Sequence, residues 1–388
     1  MTSENLGSLR KFVSAEVVHG PGARTLAGSY AHNIGARRVL VVSDPGVSAA
    51  GWTGEAVASL QAQGIPYDLF QGVTPNPRAT EVMLGAEAYR AAGCDAILAV
   101  GGGSPMDCAK GIGIVVSNGG AIQHYEGVDQ IEAPIPPLIC IPTTAGTSAD
   151  VSQFAIVSDH ERRVKMTVVS KAIVPDVALV DPITVRTVDD RLLACAGMDA
   201  FVHSIEAFTS NAHSPVTDMA AAAALPVVWQ RLPRALSEGH SPALEAELMT
   251  ASLQAGLAFS NASLGAVHAM AHAVGGLVDN SHGEANAMLL DHVVSFNYEA
   301  AADRFELIAQ LLGIDLAGLP RTTRRDALLE ALRAFKRKVG LDLRLRDRGV
   351  TRSDIPFLAR NAIGDPCMAT NPRVANQRDL ETIYEEAL

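Results

Sequence analysis

Short, continuous apolar runs alternate with longer amphipathic stretches through the first half of the chain. Residues 38–43 (RVLVVS), 95–100 (DAILAV), 137–142 (PLICIP) and 177–180 (VALV) are aliphatic on both faces, and each closes on Gly, Pro or Asp. Runs that are apolar on both faces predict strands of a parallel sheet covered on either side. Between them, residues 53–63, 78–92 and 106–115 have helical periodicity. This alternation predicts an α/β dinucleotide-binding domain.

The texture changes after Pro182. From about residue 186 the pattern is helical almost throughout, with 3.6-residue periodicity over 246–259, 264–274 and 327–339. Gly275-Gly276 reads as a helix stop. Residues 379–388 predict a last helix with Asn376 or Asp379 near its cap. The longest apolar run, 219–229, is broken by Pro226 and is too short to span a bilayer. There is no internal repeat and no low-complexity linker. The expected division is therefore an α/β domain over 1–185 and an all-helical domain over 186–388, joined by a short turn near Asp181-Pro182 and closely packed.

Composition narrows the partners. A chain of 388 residues, 48% hydrophobic and 19% charged, can fill two sizeable cores. A net charge of −11 argues against nucleic acid as a partner, but not against a dinucleotide held by backbone amides. The five cysteines are odd in number and show no CxxC spacing, which argues against a disulfide framework or a thiolate zinc knuckle. Reduced thiols predict a cytoplasmic protein. The opening residues, MTSENLGSLRKF, lack the apolar core of a signal peptide.

Three polar clusters carry candidate chemistry. Gly101-Gly102-Gly103-Ser104-Pro105 lies between a predicted strand and a predicted helix. Glycines there let backbone approach a phosphate, and the helix start offers free amides. A tight turn that binds nothing has the same appearance, and the spacing is not GxGxxG. Asp44 ends the first strong strand, where a carboxylate accepts from an adenosine ribose and repels a 2′-phosphate. It is equally an Asp-Pro-Gly turn residue. Thr143 to Ser148 (TTAGTS) is a second polar loop after a strand, suited to a phosphate or to a helix cap.

The third cluster is a set of imidazoles. Asp199 and His203 are four apart, as are His268 and His272, and His282 follows. Four-residue spacing puts each pair on one helix face. Such a pair is often merely hydrogen-bonded, yet these residues sit in Ala- and Gly-rich, apolar surroundings where unpaired burial is costly. His203, His268 and His282 come from three segments and can converge with Asp199 on a divalent ion. His272, one turn beyond His268, falls just outside and suits a proton relay.

On GGGSPMDCAKG, IPTTAGTSADV, VPDVALVDP, GMDAFVHSIEAFTS, GLAFSNASLGAVHAMAHAVGG, HGEANAMLLDHV and DPCMATNPR, the chain resembles the iron-dependent (group III) alcohol dehydrogenases over essentially its whole length. The resemblance implies an N-terminal α/β domain and a C-terminal all-helical domain with the active site between them. It implies metal ligands at Asp199, His203, His268 and His282, with His272 close by and non-ligating. Pyrophosphate contacts fall on Gly102, Gly103 and Ser104 with Asp107 alongside, and a second cofactor loop on Thr143, Thr144 and Thr147. Lys165 and Leu179 match positions near the riboses, and Asp44 the position that biases toward NAD. Phe154, Phe259 and Cys367 would line a tight, mostly apolar substrate pocket. The chain departs from the family at Ser148-Ala149-Asp150, where Gly-Ser-Glu is commoner, and at Phe154, where some members carry a small polar residue.

The implied activity is NAD-linked interconversion of a small primary alcohol and its aldehyde, with Fe(II) as the expected metal and Zn(II) or another divalent ion possible by affinity. A homo-oligomer is expected. Competing readings are a zinc-dependent polyol dehydrogenase on the same architecture, a dehydroquinate synthase-like lyase, and a dinucleotide sensor with a structural metal. The lyase would need a basic cluster to hold a carboxylated or phosphorylated substrate, and the His-bearing segments of the helical half show none.

Overall fold

Six parallel strands organise the N-terminal half of the computed structural model, which describes residues 9–388. The opening stretch without an apolar core falls largely outside those residues. The strands are β1 (Glu16–His19), β2 (Val39–Val42), β3 (Tyr67–Phe70), β4 (Ala96–Gly101), β6 (Leu138–Pro142) and β9 (Val177–Val180), in the order β1-β9-β6-β4-β2-β3. Each paired neighbour runs parallel. Helices α1 (Ala27–Asn33), α2 (Pro45–Ala49), α3 (Trp52–Ala62), α4 (Ala79–Ala92) and α5 (Gly103–Asn118) connect them. Alternation splits the strand side chains between two layers. Val39, Val41, Leu98 and Val100 pack against α1 and α3. Leu40, Val42, Ile97 and Ala99 pack against α4 and α5.

A second sheet has the order β5-β8-β7, built from β5 (Gly127–Val128), β7 (Phe154–Asp159) and β8 (Val164–Val169), with β7 and β8 antiparallel. The apolar-run criterion places no strand in this sheet, nor at β1 and β3. β1 and β3 are short, half-exposed edge strands whose polar residues interrupt the runs that mark central strands, and in the mostly buried β8 Lys165 and Thr167 break the apolar run. In β3 the interrupting residue is Asp68.

The element type changes at the 3₁₀ turn Pro182–Thr187, which Asp181 caps by accepting from Ile183 N at 3.1 Å. Helices follow: α6 (Asp190–Thr209), α7 (Pro215–Glu238), α8 (Pro242–Ala262), α9 (Ala266–Val278), α10 (His282–Asn297), α11 (Ala302–Leu311), α12 (Arg321–Lys338), α13 (Ile355–Ile363) and α14 (Gln377–Ala387). Asn376 is the cap of α14, accepting from Asp379 N while Asp379 accepts in return.

Two expectations about helix ends are corrected. Pro226 does not break its run, because α7 continues through Pro226 and Pro233. An interior proline costs about 3 kcal/mol, which burial of Ala221, Ala224, Leu225 and Val228 offsets. Gly275-Gly276 does not stop α9, which runs on to Val278 and ends against Asp279 in the left-handed region at φ 47°. The glycines serve close packing. A Cβ on Gly276 would lie 2.6 Å from Val164 Cα, and one on Gly275 2.8 Å from Lys165 Cε. They let α9 lie against the β7–β8 hairpin and so bring the two halves together.

The helical half also buries an ion cluster. Asp291 of α10 accepts from Lys336 Nζ at 2.5 Å and Arg333 Nε at 2.8 Å, both on α12. Lys336 is 4% exposed. Asp291→Ala leaves that ammonium without its partner, and the expected cost is roughly 3–5 kcal/mol. Urea denaturation of the two proteins checks it; a change below 1 kcal/mol would mean that solvent reaches Lys336 and the cluster adds little.

Candidate functional site

Strands β2, β4 and β6 lie side by side, and the order of connection reverses between β2 and β4. Ligands bind in the crevice beyond the carboxyl ends of strands at such a reversal. Asp44 follows β2, Gly102-Gly103 follow β4 and Thr143-Thr144 follow β6, and all of them line one cavity of about 830 Å³. The cavity continues past Lys165 and Asp107 to Asp199, His203, His268, His272 and His282.

The glycine turn is shaped by contact. Gly101 has φ 151°, and a Cβ there would meet the Pro105 ring at 2.5 Å. Cβ atoms on Gly102 and Gly103 would press on the Thr144 and Thr147 hydroxyls at 3.2 and 3.0 Å. The bare backbone at the start of the 16-residue α5 therefore faces two threonine side chains, a cradle of amides and hydroxyls that suits a pyrophosphate. Ser104 and Thr143 line the same stretch. Asp44 caps α2 by accepting from Val47 N at 2.9 Å and also faces the cavity, so the turn role and a ribose contact are compatible.

Further in, Asp107 accepts from Ile156 N at 3.2 Å, and burial pushes its carboxyl up to about 6. Burial pulls the Lys165 ammonium down to about 8. Its Nζ donates to Asn76 Oδ1 at 2.7 Å, and Asn76 Nδ2 donates to Asp279 Oδ1 at 2.7 Å, a link between the two halves that the motifs do not reveal. Leu179 is not part of the cavity wall. Its side chain is fully buried in the layer under α1 and α3.

The histidine end of the cavity is built by three helices. Asp199 and His203 share a face of α6, His268 lies in the first turn of α9, and His282 is the first residue of α10. Asp199 Oδ1 lies 3.5 Å from His203 Nε2, 3.4 Å from His268 Nε2 and 3.6 Å from His282 Nε2. Donor atoms of Asp199, His268 and His282 all lie within 4.8 Å of one another, and His203 stacks on His268 with ring centroids 4.7 Å apart. For an ion with bonds of about 2.1 Å, tetrahedral donors are separated by about 3.4 Å, so these spacings fit.

The electrostatics agree with an ion. Burial drives His203 down to about 3 and His282 well below the usual imidazole range. Burial acts to raise Asp199, but His203, His282 and His268 hold its carboxyl far below the ordinary value. Burial alone would depress His268, but Asp199 and Glu206 lift it to about 9. The Nε2 atoms of His203, His268 and His282 and the Asp199 carboxylate oxygen thus face one another at a buried point, where a cation, proton or metal, can be held. One oxygen and three imidazole nitrogens suit Fe(II) or Zn(II).

His272 stands apart from that set. Its Nδ1 meets Asp365 Oδ2 at 2.8 Å, and Thr167 Oγ1 donates to the same oxygen at 3.1 Å. Burial acts to raise Asp365, but the charge and hydrogen bond of His272, with the Cys367 amide, hold it down at about 2. With Nδ1 engaged, the Nε2 edge of His272 is left for the cavity. The cavity wall beside these candidate ligands is aromatic. Phe259 stacks on His203 at 4.1 Å between centroids, and Phe154 meets Phe259 edge-on at 5.6 Å. Cys367 does not reach this wall. It is fully buried behind His272, its amide donating to Asp365 Oδ1 at 2.8 Å.

Three buried side chains around the histidines were not singled out in the sequence. Glu206 accepts from His268 Nδ1 at 2.6 Å. Asn286 Nδ2 donates to Asp199 Oδ1 at 2.8 Å. Asp365 holds His272. Glu206 is three residues beyond His203 and Asn286 four beyond His282, so helical spacing from a ligand was the available signal. Asp365 is distant from every histidine in the chain and gives no such signal.

Comparison with known proteins agrees over both halves. Residues 14–182 match the family model described as iron-containing alcohol dehydrogenase, and residues 193–388 the one described as Fe-containing alcohol dehydrogenase family, C-terminal. The chain is 37% identical to a 1,3-propanediol dehydrogenase of Klebsiella pneumoniae over 370 residues, 95% of this chain and 96% of that one. It is 36% identical to an NAD-dependent methanol dehydrogenase of Bacillus methanolicus over 377 residues, 97% and 99% of the two chains. Among solved structures, an alcohol dehydrogenase from Oenococcus oeni superposes with a TM-score of 0.93 at 32% identity, covering 98% of this chain and 100% of that one.

Proposed function

The chain belongs to the iron-containing alcohol dehydrogenase family, and from that premise we propose that it interconverts a short primary alcohol and its aldehyde with NAD and Fe(II). The observation that carries this reading is the single cavity that joins the glycine turn of the parallel sheet to the Asp199, His268 and His282 cluster.

The bound groups supply Lewis-acid polarisation of the substrate oxygen and a hydride acceptor at the nicotinamide. The protein supplies position. Asp199, His203, His268 and His282 hold the ion. Amides at Gly102, Gly103 and Ser104, with the hydroxyls of Thr143, Thr144 and Thr147, bind the pyrophosphate. Asp107 braces the hairpin beside them, and Lys165 meets the nicotinamide ribose. Asp44 accepts from the adenosine ribose and disfavours a 2′-phosphate, which is the basis for NAD over NADP. His272, oriented through Nδ1 by Asp365, passes the substrate proton onward from Nε2. Phe154 and Phe259 exclude water and leave room for a short carbon chain. Their apolar faces disfavour the zinc-dependent polyol reading, as do the iron-family matches.

No described helix is long and apolar enough to cross a membrane, and all five thiols are unpaired and buried. The proposal extends, on general grounds, to a homo-oligomer with reduced thiols in the cytoplasm, divided at about residue 185 into cofactor and metal domains.

The test is metal content and NAD reduction on one anaerobic preparation, with methanol, ethanol, 1-propanol, 1,3-propanediol and glycerol as substrates. The expected result is near-stoichiometric iron, activity abolished by chelation and restored by Fe(II), and turnover of the short primary alcohols. Zinc with a preference for glycerol would favour the polyol dehydrogenase. Undiminished turnover in fully chelated protein would end the metal-dependent reading.

A further inference from the structure

Helix α6 carries a third polar residue on the face that bears Asp199 and His203. Glu206 lies seven residues beyond Asp199, two turns along the helix. It is 4% exposed. Among the described residues it forms no pair with Lys or Arg, and His268 is its one ion-pair partner. Its oxygens face the start of α9: Oε1 accepts from Val267 N at 2.7 Å, and Oε2 from His268 N at 3.4 Å and His268 Nδ1 at 2.6 Å.

These contacts have two consequences. The first-turn amides of a helix have no partner within it, and Gly265, the residue before α9, offers no side chain to cap them. Glu206 supplies the cap from another helix, together with Asn371, whose Oδ1 accepts from Ala266 N at 3.1 Å. A Cβ on Gly265 would stand 2.9 Å from Glu206 Oε1, so the bare glycine makes room for the carboxylate. The second consequence concerns the ring. A carboxylate accepts only, so the hydrogen on His268 lies on Nδ1. Nε2 is then the nitrogen left facing Asp199 Oδ1, 3.4 Å away, and its lone pair is the one available to an ion held there.

We propose that Glu206 is a positioning residue of the metal centre: it fixes the tautomer and ring angle of His268 and anchors the first turn of α9, so that Nε2 meets the ion already oriented. This rests on the metal-dependent reading of the site. Outer partners of this kind hold ligating histidines in metal sites generally, and removing one costs 10–100-fold in metal affinity.

Glu206→Gln is the discriminating variant. Glutamine keeps the volume, and its oxygen can still accept from Val267 N. Its NH₂ group then faces Nδ1 and favours the opposite tautomer, with the hydrogen on Nε2 where the ion belongs. The measurement is chelator competition on protein loaded with Fe(II), and with Co(II) for its visible spectrum, alongside circular dichroism of the metal-free protein. The expected result is about 10–100-fold weaker binding and an altered Co(II) spectrum with the fold retained. Glu206→Asp, which keeps the acceptor at shorter reach, is expected to recover part of the affinity. It also serves as the test variant if the glutamine protein does not fold. Parent-like affinity and spectrum in a folded Glu206→Gln protein would overturn the proposal. So would loss of stability in the metal-free protein with affinity unchanged. If the parent protein itself binds no stoichiometric metal, the reading of the site fails, which is a different result from parent binding with an indifferent Glu206.

Discussion

His268→Ala is expected to lose its bound metal and about three orders of magnitude in kcat/KM together. Lewis-acid stabilisation of a developing alkoxide is worth several kcal/mol, and about 4 kcal/mol corresponds to about a thousandfold in rate. His268 is chosen because its environment is the most fully committed to one task. It is 1% exposed, its Nε2 faces Asp199 at 3.4 Å, and its Nδ1 is bound to Glu206 at 2.6 Å. Truncation removes a ligand and leaves the buried Glu206 carboxylate with backbone donors only, so stability should also fall by roughly 1–3 kcal/mol. Elemental analysis, steady-state kinetics and thermal unfolding of the same sample separate these effects. Full activity in a metal-free His268→Ala protein would remove the metal from the mechanism.

His272→Ala should behave differently. The ring belongs to the group formed by His272, Asp365 and Cys367 rather than to the Asp199 set. Metal content should therefore remain near that of the parent while kcat falls by about 10²–10⁴, the usual contribution of a placed general acid–base. KM should change little, because the aromatic wall is formed by Phe154 and Phe259 and is untouched. Asp365→Asn should reproduce part of the loss, since the amide can rotate to offer its NH₂ group to Nδ1 and the ring loses its fixed orientation. The comparison of kcat with metal content is decisive: a His272→Ala protein that loses its metal would show His272 to be a ligand, and one with parent kcat would show the proton leaving by another path.

The contrast between these two histidines shows what one-dimensional spacing can convey. Both pairs, Asp199 with His203 and His268 with His272, are separated by one helical turn, and helical geometry guarantees a shared face. It does not say which element lies opposite that face. His268 meets α6 and His272 meets the 365–367 segment because α9 is wedged between them, and that placement depends on Gly275 and Gly276 admitting the hairpin. The same two glycines read locally as a helix stop. Contact distance, rather than turn chemistry, explains their presence.

The pocket positions divide along similar lines. Phe154 and Phe259 line the cavity, whereas Cys367 lies behind His272 and Leu179 is buried beneath the sheet. Period-two alternation decides the case of Leu179, since within β9 its neighbours Ala178 and Val180 face the helical core and Leu179 faces away.

The chain's own pattern determined the parallel sheet, the helical second half and the histidine-bearing helix faces. Backbone periodicity and turn chemistry act over a few residues, and those distances are written directly in the sequence. Tertiary packing alone decided the hairpin sheet, the uninterrupted courses of α7 and α9, and the anchoring of His268 by Glu206 and of His272 by Asp365. Glu206 and His268 are 62 residues apart, and His272 and Asp365 are 93 apart. Hydrogen bonds across such separations form only after the apolar faces of several helices have been buried together, and no local spacing encodes which partners that burial brings within reach.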